Sequence, residues 1–349
     1  YGEAEKAHKA IQEGAGEMTE QAFAALTRQS DEGAVTVWNS LSFERTALVE
    51  LPARFEGGAK TKDGEKVPVQ AYDGKVKALV KLPSLGAVSL IPVKENGPAV
   101  SGVKVMESPE GFVMENGKVK VLVNNKGEVV SFVLKESGRE FAAEPMNRFR
   151  LYKDVARLFD AWDIDSNYIH QEVEALTDVK VEMVSQGLEG ALKVTGRISE
   201  SSIEQYIRLS ADSTRLIFET QVDWKELHRL LKACFPVDVY AENGINEMQF
   251  GFVERPAHRS RPYDKDRFEV CNHRYSAFCD GSHGAAVLNE CNYGISMNQN
   301  SLELSLLRAS SAPEMRADNR VHHFTYAFTA WEGSFAESDV TRQGYELNV

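Results

Sequence analysis

From Ala34 onward, apolar residues recur with a period of two in short runs, and turn dipeptides cut the runs apart. That period puts successive side chains on opposite faces of an extended chain, so a sequence written this way is committed to β-sheet. Runs at 35–38, 46–51, 67–71, 76–82 and 87–93 are rich in Val and Leu and are separated by Gly, Pro, Asp and Asn. They predict a small β-sandwich. Segments 112–115, 118–123 and 128–134 then spell a three-stranded meander, with Asn116-Gly117 as a hairpin turn. Val119, Val121 and Val123 share one face and Lys118 and Lys120 the other, so that sheet is solvated on one side. Alternation continues at 179–184, 192–199, 202–209, 215–222, 234–240, 302–307 and 322–328. So many antiparallel strands exceed an immunoglobulin sandwich and point to a large two-sheet supersandwich.

The start of the chain obeys a different period. Ile11, Ala15, Met18, Ala22 and Leu26 form one helical stripe, weakened in its middle by Gly14 and Gly16. A lone amphipathic helix has little to pack on, so it reads as the last helix of a truncated bundle or as one laid across the adjoining β region. Glu95-Asn96-Gly97-Pro98 is the expected boundary between the two β regions. The organisation expected is therefore a terminal helix at 1–30, a small β-sandwich at 31–98 and a large supersandwich at 99–349. One segment conflicts with it: Leu227, Leu230, Leu231 and Cys234 have helical spacing, although Pro236 and strand-rich flanks limit a helix there. Trp38 and Phe43 read as core residues of the small sandwich.

Composition narrows the partners. A chain of 349 residues with a formal charge of -12 is too acidic to favour nucleic acid or an anionic membrane. No apolar run approaches the length of a membrane span. Because the sequence opens on Tyr1 and not Met, it is expected to be a piece of a larger protein. Cys271, Cys279 and Cys291 are interleaved with His273 and His283, a mixture that could bind zinc, but no CxxC pair is present. Buried free thiols are the preferred reading of these and of Cys234, with a reducing, cytoplasmic setting.

Chemistry concentrates in two places. Residues 249–294 hold two strand candidates, 249–254 and 284–289, with His258, Arg259, Arg261, Asp264, Arg267, His273 and Arg274 between them, too polar for a core. The second is Asp160-Ala161-Trp162-Asp163-Ile164-Asp165-Ser166-Asn167-Tyr168. Asp163, Asp165, Asn167 and Glu174 fit positions of a calcium loop, but Tyr168 stands where the turn needs glycine, which argues against calcium. On a strand, Asp163 and Asp165 would share a face about 7 Å apart, and paired carboxylates are what glycoside hydrolysis uses. A tryptophan beside carboxylates suits a sugar, whose C–H face packs on the ring while the acids accept hydroxyl hydrogens. Core packing of Trp162, with the acids closing a loop, is the competing reading. No G-x-S-x-G elbow is present and no glycine-rich phosphate loop follows a strand, so nothing in the sequence supports serine-hydrolase or nucleotide chemistry.

The ordered phrases Phe250-Gly251, Arg255-Pro256, His258-Arg259, Arg267-Phe268-Glu269-Val270, His273-Arg274 and Leu288-Asn289, followed by residues 302–308 and 323–328, closely resemble the C-terminal β region of glycoside hydrolase family 38 α-mannosidases. Trp38-Asn39-Ser40-Leu41-Ser42-Phe43, the Asp160–Asp165 phrase and the closing Tyr345-Glu346-Leu347-Asn348 extend the resemblance over nearly the whole chain. It implies a mainly β chain whose supersandwich is of galactose-mutarotase type, with the 227–236 segment on an extended strand. It also implies retaining hydrolysis of α-mannoside oligosaccharides by the full-length protein, through an aspartate nucleophile and a zinc ion held by two aspartates and two histidines. Those groups belong to a catalytic domain that no position here matches, so no catalytic residue, metal ligand or cofactor is assigned to this chain. Trp162, Asp163 and Asp165 are expected at an exposed edge facing the missing catalytic domain, with Arg274 on the same face. Tyr275 and Phe278-Cys279-Asp280-Gly281 depart from the family pattern, which puts substrate contact by that loop in doubt. The alternatives are a freestanding carbohydrate-binding module, or a mutarotase- or lyase-like enzyme with its acid and base among His258, His273, Asp163 and Asp165.

Overall fold

In the computed structural model, residues 2–27, 33–72, 74–95, 97, 101–173, 176–316 and 318–349 are described, and the chain divides into two units, Tyr1–Ala99 and Val100–Val349. Asn96, Pro98, Glu174 and the end of the 1–30 segment lie outside the described residues.

The first unit opens with the expected helix, Gly2–Leu26, none of whose side chains is buried. Its stripe stays open to solvent: Ile11 and Met18 are each 67% exposed. Phe23 stacks on Trp38 with centroids 5.8 Å apart. Two small sheets come next. One runs in the order Val35–Asn39, Gly86–Pro92, Ala59–Thr61, Lys66–Val67, the other Arg45–Leu51, Lys75–Leu82, Val69–Tyr72. Lys75–Leu82 alternates strictly, and its inward Val76, Ala78, Val80 and Leu82 pack with Phe55, Val69 and Leu90 into one core. Trp38 and Phe43, read as core, are only half-buried. The buried members of that phrase are Leu41 and Asn39, whose Nδ2 donates to the carbonyls of Phe43 and Pro83, both at 2.8 Å, and so ties the turn together.

The second unit is built from three antiparallel sheets. A nine-stranded sheet runs Leu176–Ser185, Glu189–Ile198, Ser201–Ser210, Leu216–Asp223, Val321–Glu332, His283–Asn289, Tyr275–Cys279, Asn243–Met248, Gly251–Pro256. A six-stranded sheet has Arg148–Lys153, Arg229–Pro236, Ser301–Arg308 and Gly294–Asn298 at its centre. The predicted meander becomes Gly111–Glu115, Val119–Asn124 and Val129–Leu134, extended on both sides to five strands. One continuous core joins all three sheets, with Phe132, Phe218, Phe235, Tyr326 and Phe328 at its centre. The rings of Phe235 and Phe328 lie parallel at 5.7 Å, and Phe132 meets Phe328 edge-on at 4.9 Å. This is the mainly β supersandwich that the period-two pattern predicts.

Two local expectations are corrected. Residues 275–279, read as part of a wide loop, form a central strand, because Tyr275, Ser276, Ala277 and Phe278 are buried on both faces. The chain ends in a helix, Val340–Leu347, that the strand pattern does not announce. Its Val340 packs against the outer face of the nine-stranded sheet with Tyr275, Ala286, Leu288 and Trp331. No helix among the described residues is long and apolar enough to cross a membrane.

Candidate functional site

Strand Arg148–Lys153 leaves the six-stranded sheet into a long excursion, residues 154–171, that ends in a 3-10 turn, Ser166–His170. Arg308, the last residue of strand Ser301–Arg308, fastens it. Its Nε donates to Asp154 Oδ2 at 2.6 Å, and Nη2 donates to the carbonyls of Asp163 at 2.7 Å and Asp160 at 3.2 Å. Asp160 Oδ2 in turn accepts the backbone N–H of Ser311 and Ala312 at 2.6 and 3.2 Å. Within the loop, the N–H groups of Trp162 and Asp163 both donate to the Phe159 carbonyl, at 2.7 and 2.8 Å. Phe159 sits at φ +55°, a left-handed conformation that an aromatic residue rarely adopts and that clusters at functional sites.

What this anchoring presents is apolar and acidic together. Val155, Leu158, Phe159 and Trp162 are all exposed, Trp162 by 75%. Asp163 is exposed beside them, one of its oxygens accepting the N–H of Ile164 at 2.9 Å, and Asp165 is half-buried with Arg157 at 3.5 Å. The assumption of a strand through Asp163 and Asp165 is therefore wrong. They lie in a loop running into a 3-10 turn, because the backbone bonds of Trp162 and Asp163 close locally and pair with no neighbouring strand. The core reading of Trp162 fails on its exposure.

Beneath the loop, the outer face of the six-stranded sheet carries a buried polar cluster. Lys232 is fully buried and pairs with Glu269, whose Oε1 also accepts the Tyr168 hydroxyl at 2.6 Å and whose Oε2 accepts Ser305 Oγ at 3.0 Å. Tyr152 meets Tyr168 edge-on at 5.1 Å and closes the apolar side of the cluster. Burial first, then the Glu269 carboxylate, pushes the Tyr168 hydroxyl far above the ordinary phenol range, and burial does the same to the Cys234 thiol. Neither supplies a nucleophile at neutral pH. The cluster is a fixed foundation for residues 166–170.

The remaining candidates are scattered. Arg274 forms a tight pair with Glu247 at 2.5 Å, and its guanidinium lies 3.7 Å over the Tyr345 ring of the C-terminal helix. No hydrogen bond or ion pair among the described residues joins it to the Trp162 loop. His258 lies 3.7 Å from Asp264, while His273 stacks on Tyr293 at 4.8 Å. No contact of this kind links any two of His258, His273, Asp163 and Asp165 among the described residues. His283, interleaved with the thiols in sequence, opens strand His283–Asn289 and is buried against Phe141, 3.1 Å from Asp280. Of the thiols, only Cys234 is buried; Cys271 and Cys291 are exposed, because both lie where strands give way to loops. No group of three or more His, Cys, Asp or Glu among the described residues is placed to hold a metal, so the zinc implied for the whole protein finds no fitting set here.

Sequence reasoning misses Arg308 and Asp154. Their only signal is a charged residue at the end of an alternating strand and an acid at the exit of another.

Residues 114–316 match the family described as "Glycosyl hydrolases family 38 C-terminal domain". The chain belongs to glycosyl hydrolase family 38. It is 34% identical over 320 residues to human alpha-mannosidase 2C1, covering 89% of this chain and 29% of that protein. It is 27% identical over 343 residues to alpha-mannosidase G of Dictyostelium discoideum, covering 90% of this chain and 30% of that one. The chain thus spans less than a third of the length of these curated relatives. Among solved structures, an alpha-mannosidase from Enterococcus faecalis superposes with a TM-score of 0.69 at 15% identity, over 90% of this chain and 45% of that chain, which shows the fold. The family 38 match includes the Trp162 loop, the Lys232 cluster and the Arg308 anchor.

Proposed function

We propose that this chain is the non-catalytic β portion of an α-mannosidase, and that residues 154–171 form one wall of the pocket in which the full-length protein hydrolyses α-mannosides. The observation that carries this reading is Trp162, 75% exposed on a loop that Arg308 holds at three acceptors. A large ring held out into water on an anchored backbone offers its face to the C–H face of a pyranose, with the carboxylate of the next residue, Asp163, to accept hydroxyl hydrogens. Hydrolysis itself needs a nucleophile and an acid across the scissile bond. Both, together with the zinc, are assigned to the catalytic domain, the partner of this chain. The unpaired cysteines support a cytoplasmic setting.

The test uses the full-length protein. Trp162→Ala is expected to lower kcat/KM for an oligomannoside about tenfold, or ~1.4 kcal/mol of transition-state binding, with the zinc content unchanged. An unchanged kcat/KM would remove the loop from the pocket. Turnover of an aryl α-mannoside by the isolated chain, abolished by Asp163→Asn, would show instead an autonomous enzyme.

A further inference from the structure

The Trp162 loop is met from a second side by a histidine whose unmet ring nitrogen faces an unmet oxygen of the loop. His228 stands immediately before strand Arg229–Pro236 at φ +51°, a left-handed conformation in which histidine and asparagine are enriched. Its backbone bonds to both chains that border the loop. The N–H donates to the Ala309 carbonyl at 2.7 Å, and the carbonyl accepts the N–H of Asp154 at 2.9 Å. The ring is thereby delivered between Ser311 and Asp160, with Nε2 3.1 Å from Ser311 Oγ and Nδ1 3.7 Å from Asp160 Oδ1.

Asp160 is the joint between the loop and the turn that follows strand Ser301–Arg308. Its Oδ2 accepts the backbone N–H groups of Ser311 and Ala312, and its carbonyl accepts Arg308 Nη2. Its Oδ1 has no hydrogen-bond partner and is closed to solvent, and the same is true of His228 Nδ1. Neither atom can turn to water or to a ligand, so each has only the other to meet. The nearby cations are committed elsewhere: Arg308 to Asp154 and to the carbonyls of Asp160 and Asp163, Arg229 to the carbonyls of Leu227 and His228.

The distance of 3.7 Å stands just beyond hydrogen-bond range. A bare Nδ1 would set a lone pair against a carboxylate, whereas Nδ1–H offers that carboxylate a charge-assisted bond and leaves Nε2 to accept the Ser311 hydroxyl. We propose that His228, carrying its proton on Nδ1, is a positioning residue for the Trp162 loop: the Nδ1–H closes on Asp160 Oδ1 and fixes the turn that presents Trp162. Its consequence for catalysis rests on the pocket-wall reading, and its consequence for the loop does not.

The test is hydrogen exchange on the full-length protein, comparing the Trp162 and Asp163 amides with strand Leu216–Asp223, which monitors the fold. Glycine and asparagine both accept a left-handed backbone, so His228→Gly removes the side-chain donor without straining the chain, and His228→Asn puts an amide N–H at the position of Nδ1. His228→Gly is expected to speed exchange of the two loop amides about tenfold beyond any change at Leu216–Asp223, and His228→Asn to restore the parent rate. The kcat/KM for an oligomannoside is expected to fall and recover in parallel. Unchanged loop exchange in His228→Gly, or an asparagine variant as loose as the glycine one, overturns the proposal. Equal acceleration of loop and strand also overturns it, because it shows a general loss of stability. Loop exchange that responds as expected while kcat/KM keeps its parent value in both variants supports His228 as the positioning residue and refutes the pocket-wall reading instead.

Discussion

Replacing Arg308 by leucine separates the two things that this residue does. Its partner Asp154 has a side chain 3% exposed, and the arginine side chain is 27% exposed. Removing one member of a buried pair leaves the other charged and desolvated, at a cost of about 3–5 kcal/mol. Because about a quarter of the guanidinium arm reaches water, the lower end, ~3 kcal/mol, is expected for Arg308→Leu. Replacing both partners, Arg308→Leu with Asp154→Leu, removes the stranded carboxylate and should recover most of that loss, leaving ~1 kcal/mol for the two loop carbonyls that lose their donor. The loop itself should be released in both variants, since the donor to Asp160 and Asp163 is gone in each. Native-state hydrogen exchange reads both quantities in one experiment: strand Leu216–Asp223 reports global opening, and the Trp162 and Asp163 amides report the loop. A single variant as stable as the parent, or a double variant losing more than the single, would refute the reasoning. So would full protection of the Trp162 and Asp163 amides in either.

Local geometry sets two other outcomes. Asp264 is held below the usual carboxylate range chiefly by its side-chain bonds to Arg261, at 2.9 and 3.0 Å, so its contribution to stability is present above the unfolded carboxylate value and is lost as pH falls through the lowered folded value. The melting-temperature gap between the parent and Asp264→Asn is accordingly expected to be constant from neutrality to about pH 5 and to close below about pH 4, and a gap independent of pH would contradict it. Gly284→Ala places a methyl 2.2 Å from Trp331 Cζ2 and 2.7 Å from the Phe278 carbonyl, which demands a shift of a packed ring and of backbone. A loss of ~1–3 kcal/mol in urea unfolding is expected, and a neutral result would show that the ring moves freely.

The fold is legible in the sequence wherever one face of a strand is wet. Lys75–Leu82 and Val119–Asn124 alternate because one side meets water, and the period alone reveals both. The exposed Trp162 loop is found through its residue types, an aromatic among acids. It is misread as a strand because residue types say nothing of how a backbone closes, and here the closure depends on Arg308, 145 residues from Asp163 in sequence. The C-terminal helix has a faint signal in Val340, Gly344 and Leu347 at helical spacing. Its neighbours Thr214, in the turn before strand Leu216–Asp223, and Trp331, on strand Val321–Glu332, are supplied only by the fold.

Leu227, Leu230, Leu231 and Cys234 show where local pattern must fail. In the structure Arg229–Pro236 is an extended strand between Arg148–Lys153 and Ser301–Arg308, buried along six of its eight residues. A strand covered on both faces has no wet side, so nothing in its composition enforces a period of two, and chance spacing can imitate a helix. Its second face is covered by the 3-10 turn Ser166–His170 with Tyr168, and by Phe268 and Glu269. That arrangement also accounts for Lys232, a charge in an otherwise apolar run: it is tolerated only because Glu269 and the Tyr168 hydroxyl meet it across the sheet face. The residue that looks like an argument against a buried strand is thus what ties the foundation of the Trp162 loop to the sheet. A strand displaced by one residue would turn Lys232 into the apolar core and leave Glu269 without its cation, so the ion pair fixes the register on which the loop is built.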